Sequence, residues 1–131
     1  YLPLDIHYAI GNFIRDGLNG GPIVVKGDGT PYRSYLYAAD LAIWLWTILL
    51  KGDTYRPYNV GSDESISILE LANKIVSFLD NPVEVRIMSK PQPNSKPARY
   101  VPDINRVRAE LGIDLYTDID KAIQRTISWL K

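Results

Sequence analysis

The most constraining feature of this sequence is an apolar segment from Leu41 to Leu50, which reads LAIWLWTILL. A bilayer-spanning helix needs about 20 apolar residues, and this run has ten. As a helix, the segment projects apolar side chains in every direction, whereas a surface helix normally keeps one polar face. Two interpretations remain open. Either this is the central helix of a small self-contained domain, or it packs against a second layer of protein that is absent from this chain.

Composition limits the possible partners and chemistry. The chain of 131 residues has the length of one domain, and its hydrophobic content of 46% excludes intrinsic disorder. Fifteen basic and fifteen acidic residues give a net charge of zero, which disfavours nucleic acid and anionic membranes as partners. The absence of cysteine excludes disulfides, zinc–thiolate sites and cysteine nucleophiles, and the single histidine, His7, disfavours a metal site. No signal peptide is recognised, and we expect a cytoplasmic protein.

The periodicity of the chain predicts alternating helices and short strands, an α/β pattern. A capping box at Ser67 and Glu70, with a staple of Ile66 and Leu71, marks one helix start. Helix caps are also expected at Asp103 and Thr117, and Gly112 is the expected stop of the helix that Asp103 begins. The predicted helices cover residues 5–18, 39–51, 67–80, 103–112 and 117–130. The predicted strands or extended segments cover residues 23–26, 32–37, 56–60 and 83–88, and residues 89–99 are predicted to form an exposed loop.

Candidate sites for chemistry are individually weak. The turn Gly27–Pro31 followed by Arg33 is either an anion-binding loop or a plain turn between strands. His7 is either a ligand contact or a polar surface residue at a helix start. Asn59, at a predicted strand end, is either a ligand contact or part of a turn that closes the strand. The loop cations Lys90, Lys96 and Arg99 either clamp an anion or are solvated.

The order of these features raises their significance. The chain contains, in sequence, GNFIRDGLNGGPIVVKGDGTPYRSYLYAADLA, YNVGSDESISILELANKI, RYVPDINRVRAELG and DIDKAIQRTISWL. Together these blocks resemble the C-terminal half of NAD-dependent epimerase/dehydratases, the extended short-chain dehydrogenases that modify nucleotide sugars. Members include nucleotide-diphosphate-glucose 4,6-dehydratases and UDP-glucuronate decarboxylases.

The resemblance implies that residues 1–131 are the substrate-binding portion of a longer, dimeric enzyme. The implied fold is the C-terminal part of an extended short-chain dehydrogenase, without the N-terminal Rossmann domain that binds NAD. The implied reaction is epimerisation, dehydration or decarboxylation of a nucleotide-diphosphate sugar through a keto-sugar intermediate. The chain contains no GxxGxxG motif and no Tyr-x-x-x-Lys pair, the family's cofactor fingerprint and acid/base pair. We therefore expect no catalytic or cofactor-binding residues here, and no activity from this portion alone.

The resemblance also implies roles for particular residues. Arg33 matches the arginine that contacts the substrate pyrophosphate, and Asn59 matches a polar residue near the same group. The strand of residues 23–26, with Val24 and Lys26, matches the strand that lines the base and ribose pocket, although several relatives have an aromatic residue in place of Lys26.

Three further positions follow from the same comparison. His7 and Tyr8 fall near helix-start positions that face the sugar phosphate in dehydratases. Relatives often carry Arg-Pro-Gly in the late loop where this chain has Gln92-Pro93-Asn94, and Arg99 or Lys96 would substitute for that arginine.

A function of a different class is also open. The chain could be a stand-alone interaction module that reuses this half-fold without catalysis, its apolar helix being covered by a partner protein or by self-association.

Overall fold

The computed structural model describes residues 8–91 and 96–131, in which helices and short strands alternate. The helices are α1 (Ala9–Leu18), α2 (Ala38–Lys51), α3 (Ile68–Ser77), α4 (Asn105–Leu111) and α5 (Ile119–Leu130). The strands are β1 (Ile23–Val25), β2 (Tyr32–Arg33), β3 (Ile66–Ser67), β4 (Val85–Ile87) and β5 (Arg99–Tyr100). The α/β class predicted from the sequence is confirmed.

The described strands form separate small sheets. β1 pairs with β4 in parallel, with Val24 opposite Arg86. β2 pairs with β3 antiparallel and with β5 in parallel, so that Tyr32 faces Arg99 and Arg33 faces Tyr100. The pairing of β2 with β5 brings together residues that are far apart in sequence, including two of the predicted site arginines.

The larger hydrophobic core joins the two ends of the chain. It lies where α1, β1, α3 and α5 meet, because each of these elements presents a regular apolar stripe or a buried strand face. Its buried members are Phe13, Ile14, Ile23, Val25, Leu71, Ala72, Ile75, Leu79, Ile123 and Ile127.

The second core is built around α2. Trp44 is completely buried there against Ile104 and Val107, from the α4 region, and Ile113, and its indole Nε1 donates to the carbonyl oxygen of Asp114 at 3.1 Å. The inner face of α2 therefore packs on α4 through Trp44, with the partly buried Ile48 beside it.

Asp40 fixes the beginning of α2. Its buried carboxylate accepts hydrogen bonds from the backbone N–H groups of Tyr116 and Thr117 and from the Thr117 hydroxyl, each at 2.9 Å. A buried carboxylate is tolerated when hydrogen bonds replace its lost hydration. Asp40 therefore joins α2 to the segment that precedes α5.

The outward side of α2 is apolar and exposed. At 100° per residue, the polar residues Asp40 and Thr47 lie on the same side as Trp44, and the opposite arc of about 200° is apolar. We call this surface the outer arc. All of its members are exposed: Ala38, Ala39, Leu41, Ala42, Ile43, Leu45, Trp46, Leu49 and Leu50. Within residues 8–91 and 96–131 no helix is long and apolar enough to cross a membrane. Of the two interpretations left open, the structure favours the one in which α2 has a further layer to meet.

Several local predictions are confirmed. Ser67 accepts from the backbone N–H of Glu70 at 3.1 Å, and the Glu70 carboxylate accepts from the Ser67 N–H at 2.9 Å, so the capping box is present. Gly112 ends α4 with a left-handed φ of 65°, a conformation that glycine adopts without strain.

Other local predictions are wrong. Asp118, not Thr117, caps α5 by accepting from the Lys121 N–H, because the Thr117 hydroxyl is already bound to Asp40. Residues 56–60 form no strand, because no other strand in the described chain lies beside them. In the described part of the chain helix α1 begins at Ala9, after Tyr8, and the predicted helical residues 5–7 lie outside the described residues. Helix α3 ends at Ser77, and the remaining strands are shorter than predicted.

Replacing Asp40 by alanine should lower the free energy of unfolding by about 2–4 kcal/mol, since two partly buried backbone N–H groups and the Thr117 hydroxyl would lose a charged acceptor. Asp80→Ala is a matched control, because Asp80 forms only an exposed ion pair with Lys131, worth about 1 kcal/mol or less. Chemical denaturation of both variants measures the difference, and equal losses would contradict the anchoring role of Asp40.

Candidate functional site

A groove of about 490 Å³ opens between β2, β5 and the segment around Asn59. This volume is in the range of small-molecule sites. Its lining combines apolar surface with a few polar groups and comprises Ser34, Leu36, Leu41, Asn59, Val60, Gly61, Tyr100, Val101 and Pro102. Among these described lining residues none is acidic, and therefore the groove itself does not repel an anion.

Arg33 and Arg99 flank this groove on neighbouring strands. Arg33 directly precedes Ser34 and pairs with Tyr100, and Arg99 directly precedes Tyr100. The half-buried Arg33 donates from Nη1 to the carbonyl oxygen of Tyr32 at 2.8 Å, whereas the exposed Arg99 guanidinium lies 5.7 Å from the centre of the Tyr32 ring. Since paired residues share a sheet face and successive residues alternate, the two arginines start from opposite faces of the sheet. For both arginines to bind one anion, the Arg99 side chain has to leave the Tyr32 ring and bend around the edge of the sheet.

Tyr35 connects Arg33 to the larger core. Burial raises the pKa of the Tyr35 hydroxyl, and the nearby positive charge of Arg33 acts in the opposite direction. Residues 33 and 35 thus lie close together, with the phenol kept neutral at physiological pH beside the arginine.

Asn59 lies in the groove with its amide engaged. Its Nδ2 donates to the carbonyl oxygen of Asp103 at 2.8 Å, leaving its side-chain oxygen available to the groove. Two positions further along the lining, residue 61 is a glycine for a packing reason, because a Cβ on Gly61 would lie 2.6 Å from a side-chain carbon of Pro102.

Helix α4 and the residues just before it hold residues 56–63 through four side-chain contacts. Besides the Asn59 contact, Arg106 Nη1 donates to the Pro57 carbonyl oxygen at 2.8 Å and Arg56 Nε donates to Glu110 at 2.8 Å. Arg108 forms an ion pair with Asp63. One wall of the groove is therefore positioned by side chains rather than by a sheet.

The turn of residues 27–31 closes on itself. The Asp28 carboxylate accepts from the Thr30 N–H at 3.0 Å and from the Thr30 hydroxyl at 2.9 Å, and these bonds lower the pKa of Asp28. The turn thus carries a negative charge at its tip, which favours the plain-turn interpretation over an anion-binding loop.

The other predicted site residues do not line the groove. Val24 lies in β1 and Lys26 follows it, exposed, beside a different sheet. Tyr8 is exposed immediately before α1, and His7 lies outside the described residues. The groove thus brings together Asn59 and the strands of Arg33 and Arg99, but not the residues predicted for base and sugar contacts.

The structure adds groove residues that sequence reasoning missed. Ser34, Tyr100 and Pro102 carry no local motif, and their proximity depends on the long-range pairing of β2 with β5. In the described part of the chain, no group of three or more metal-ligating side chains is close enough to hold a metal ion.

Comparison with known proteins gives the class first. The fold matches that of the Bordetella bronchiseptica enzyme WbmF in complex with NADH, with 29% identity and a TM-score of 0.79 over 93% of this chain and 36% of that one. The same enzyme in complex with NAD⁺ and UDP gives 27% identity and a TM-score of 0.80. The chain has the α/β fold of a part of an extended short-chain dehydrogenase.

Sequence comparison then shows which family the chain resembles. Residues 5–61 match the NAD dependent epimerase/dehydratase family. UDP-glucuronic acid decarboxylase 1 of Arabidopsis thaliana is 27% identical over 95% of this chain and 28% of its own length. A probable dTDP-glucose 4,6-dehydratase of Sinorhizobium fredii is 29% identical over 88% of this chain and 35% of its own length. The resemblance to NAD-dependent epimerase/dehydratases is confirmed, and the chain spans about a third of the length of these relatives.

The attachment of residue 56 to α4 should depend on pH. Hydrogen bonds from Arg56 lower the pKa of Glu110 from its ordinary value of 4.5 to about 2. Because the pKa is lower in the folded state, this contact stabilises the fold fully above pH 4.5 and is lost as the pH falls toward 2. An NMR titration of the Glu110 carboxyl carbon should show the low pKa, and Arg56→Gln should return it toward 4.5. An unshifted pKa in the unmodified protein would contradict the contact.

Proposed function

We propose that this chain is the nucleotide-sugar-binding part of an NAD-dependent sugar epimerase/dehydratase. The observation that carries the proposal is the groove bordered by β2 and β5, with Arg33 and Arg99 beside it. The relatives support the ligand class, since they include a UDP-glucuronic acid decarboxylase and an enzyme in complex with UDP.

The chemistry proposed for this chain is electrostatic positioning. Arginine presents several N–H donors in a plane, which suits the oxygen atoms of a diphosphate. With zero net charge, the chain has no general positive field to attract an anion. Binding of the diphosphate therefore depends on the few cations beside the groove. The Asn59 side-chain oxygen is a further polar contact for the ligand.

Residues 8–91 and 96–131 form no site that fits NAD. The turn after β1 leads into β2 rather than into a helix, so it cannot aim a helix N-terminus at a pyrophosphate. No tyrosine is followed by lysine four residues later. The proposal therefore assigns cofactor binding and the keto-sugar chemistry to a Rossmann domain outside these residues. Residues 1–131 alone are expected to have no catalytic turnover. We also propose that the complete enzyme is homodimeric and cytoplasmic, as expected from its sequence and its resemblance to this family.

The test uses the complete polypeptide that the gene encodes, called here the encoded polypeptide. Replacing Arg33 by alanine in it should weaken UDP binding by about 1–3 kcal/mol, as expected for loss of a hydrogen bond to a charged group. Isothermal titration calorimetry with UDP measures the change. Arg125→Ala is the matched control, because Arg125 lies over the Tyr37 ring and away from the groove lining. An Arg33 variant that binds UDP as tightly as the control would overturn the assignment.

A non-catalytic interaction module remains the second candidate, favoured by the exposed outer arc of α2. Chromatographic assay of the encoded polypeptide with NAD and UDP-glucuronic acid or dTDP-glucose distinguishes the two. We expect conversion by the encoded polypeptide and none by residues 1–131 alone. Conversion by this portion alone would contradict the proposed division of labour.

A further inference from the structure

The connection between α1 and β1 contains an asparagine followed directly by glycine, at Asn19 and Gly20. In such a pair the backbone nitrogen of the second residue can attack the side-chain amide carbon of the first. Glycine favours this attack because it has no side chain to hinder the approach of its nitrogen. Every other asparagine of the sequence is followed by a residue that carries a side chain, and Asn81 is followed by proline, which has no N–H. The sequence therefore singles out Asn19.

Asn19 is accessible in the folded chain. It is exposed, and its side-chain amide forms no hydrogen bond within residues 8–91 and 96–131. Gly20 is exposed as well, and no atom of a non-adjacent residue lies within 4 Å of the place where a Cβ would stand. Water and hydroxide from the solvent therefore reach both reacting groups.

The end of α1 restrains the same two residues. Gly20 has a left-handed φ of 72°, and its N–H donates to the Gly17 carbonyl oxygen at 3.1 Å. The Gly21 N–H donates to the Asp16 carbonyl oxygen at 3.2 Å, and the two bonds together form a Schellman motif. For ring closure, the Gly20 nitrogen has to lose its proton and Asn19 has to rotate away from its present ψ of 0°. The reaction therefore starts from molecules in which this helix end has opened.

Two aspartates followed by glycine could form the same ring, and the structure disfavours both. Ring closure at an aspartate expels water and needs a protonated carboxyl group. Hydrogen bonds from Thr30 lower the pKa of Asp28 and hold its carboxylate, which accepts from the Thr30 N–H at 3.0 Å. Asp16 lies within α1, and its carboxylate accepts from Arg15 at 2.9 Å. Asn19 is therefore the favoured site of this chemistry.

We propose that Asn19 is a site of spontaneous deamidation, whose rate is set by opening of the C-terminal end of α1. A bond forms between the Gly20 nitrogen and the Asn19 Cγ as the bond from Cγ to Nδ2 breaks, and the Gly20 amide proton leaves with Nδ2 as ammonia. Water then opens the resulting succinimide ring at either of its carbonyl carbons. One product is aspartate, and the other is isoaspartate, in which the main chain runs through Cγ. This modification does not depend on what the groove binds.

Isoaspartate at residue 19 disrupts the connection between two elements of the larger core. It lengthens the main chain directly before Gly20, so that the N–H groups of Gly20 and Gly21 no longer align with the carbonyl groups at the end of α1. The new carboxylate also places negative charge at a helix C-terminus, where the helix dipole disfavours it. Because Phe13 of α1 packs in the same core as Ile23 of β1, the change loosens α1 from that core.

Peptide mapping by mass spectrometry tests the site and its control by the helix end. The encoded polypeptide and an unstructured peptide of residues 13–26 are incubated at neutral and at mildly alkaline pH. We expect Asn19 in the folded protein to react roughly 10- to 1,000-fold more slowly than in the peptide, since a helix end opens locally before reaction. Both rates should rise with pH, because hydroxide removes the amide proton. Asn73, which is exposed within α3 and followed by Lys74, should remain intact.

Each of the other results counts against the proposal. An equal rate in protein and peptide would overturn the control by the helix end. A protein that reacts more slowly than the expected range, or that deamidates first at Asn73, would overturn Asn19 as the site.

Variants separate the effect of the charge from that of the longer main chain. Asn19→Gln should stay unmodified, because its longer side chain would have to close a less favourable six-membered ring. Asn19→Asp carries the new charge without lengthening the main chain. Deamidated protein isolated by anion-exchange chromatography, and shown by mapping to be mostly isoaspartate, should unfold several degrees below Asn19→Asp. Equal midpoints of thermal unfolding for these two proteins would contradict the loosening of α1.

Discussion

The arrangement of this chain depends on the buried carboxylate of Asp40. Its hydrogen bonds to Tyr116 and Thr117 fix the first turn of α2 against the segment before α5. With that end fixed, Trp44 enters the second core and the outer arc faces outward. The same contact occupies Thr117 and passes the cap of α5 to Asp118. One charged residue within an apolar helix thus determines which side of that helix is buried.

Two local signals in the sequence predicted local structure correctly. The capping box at Ser67 and the glycine stop at Gly112 depend on residues within one or two turns, and both are confirmed. The strand at residues 56–60 depends on a partner elsewhere, and the described chain supplies none. The residue pattern indicates that this segment can form a strand. Whether it pairs depends on what surrounds it in the folded protein.

The site shows the same division. The resemblance selected Arg33, Asn59 and Arg99, and the structure places them on elements that border one groove. Sequence spacing gave no information on Tyr100 or Pro102, because the pairing of β2 with β5 joins positions about 67 residues apart. Nor did it indicate that the two arginines begin on opposite faces of their sheet, since that depends on the pairing register.

The larger core has a consequence for how the protein is made. Phe13 and Ile14 near one end pack with Ile123 and Ile127 near the other. During synthesis the first of these residues leave the ribosome long before the last are translated, so the core closes only after nearly the whole segment has emerged. The outer arc is already in solution by then, and molecular chaperones that recognise exposed apolar helices have this interval in which to bind it.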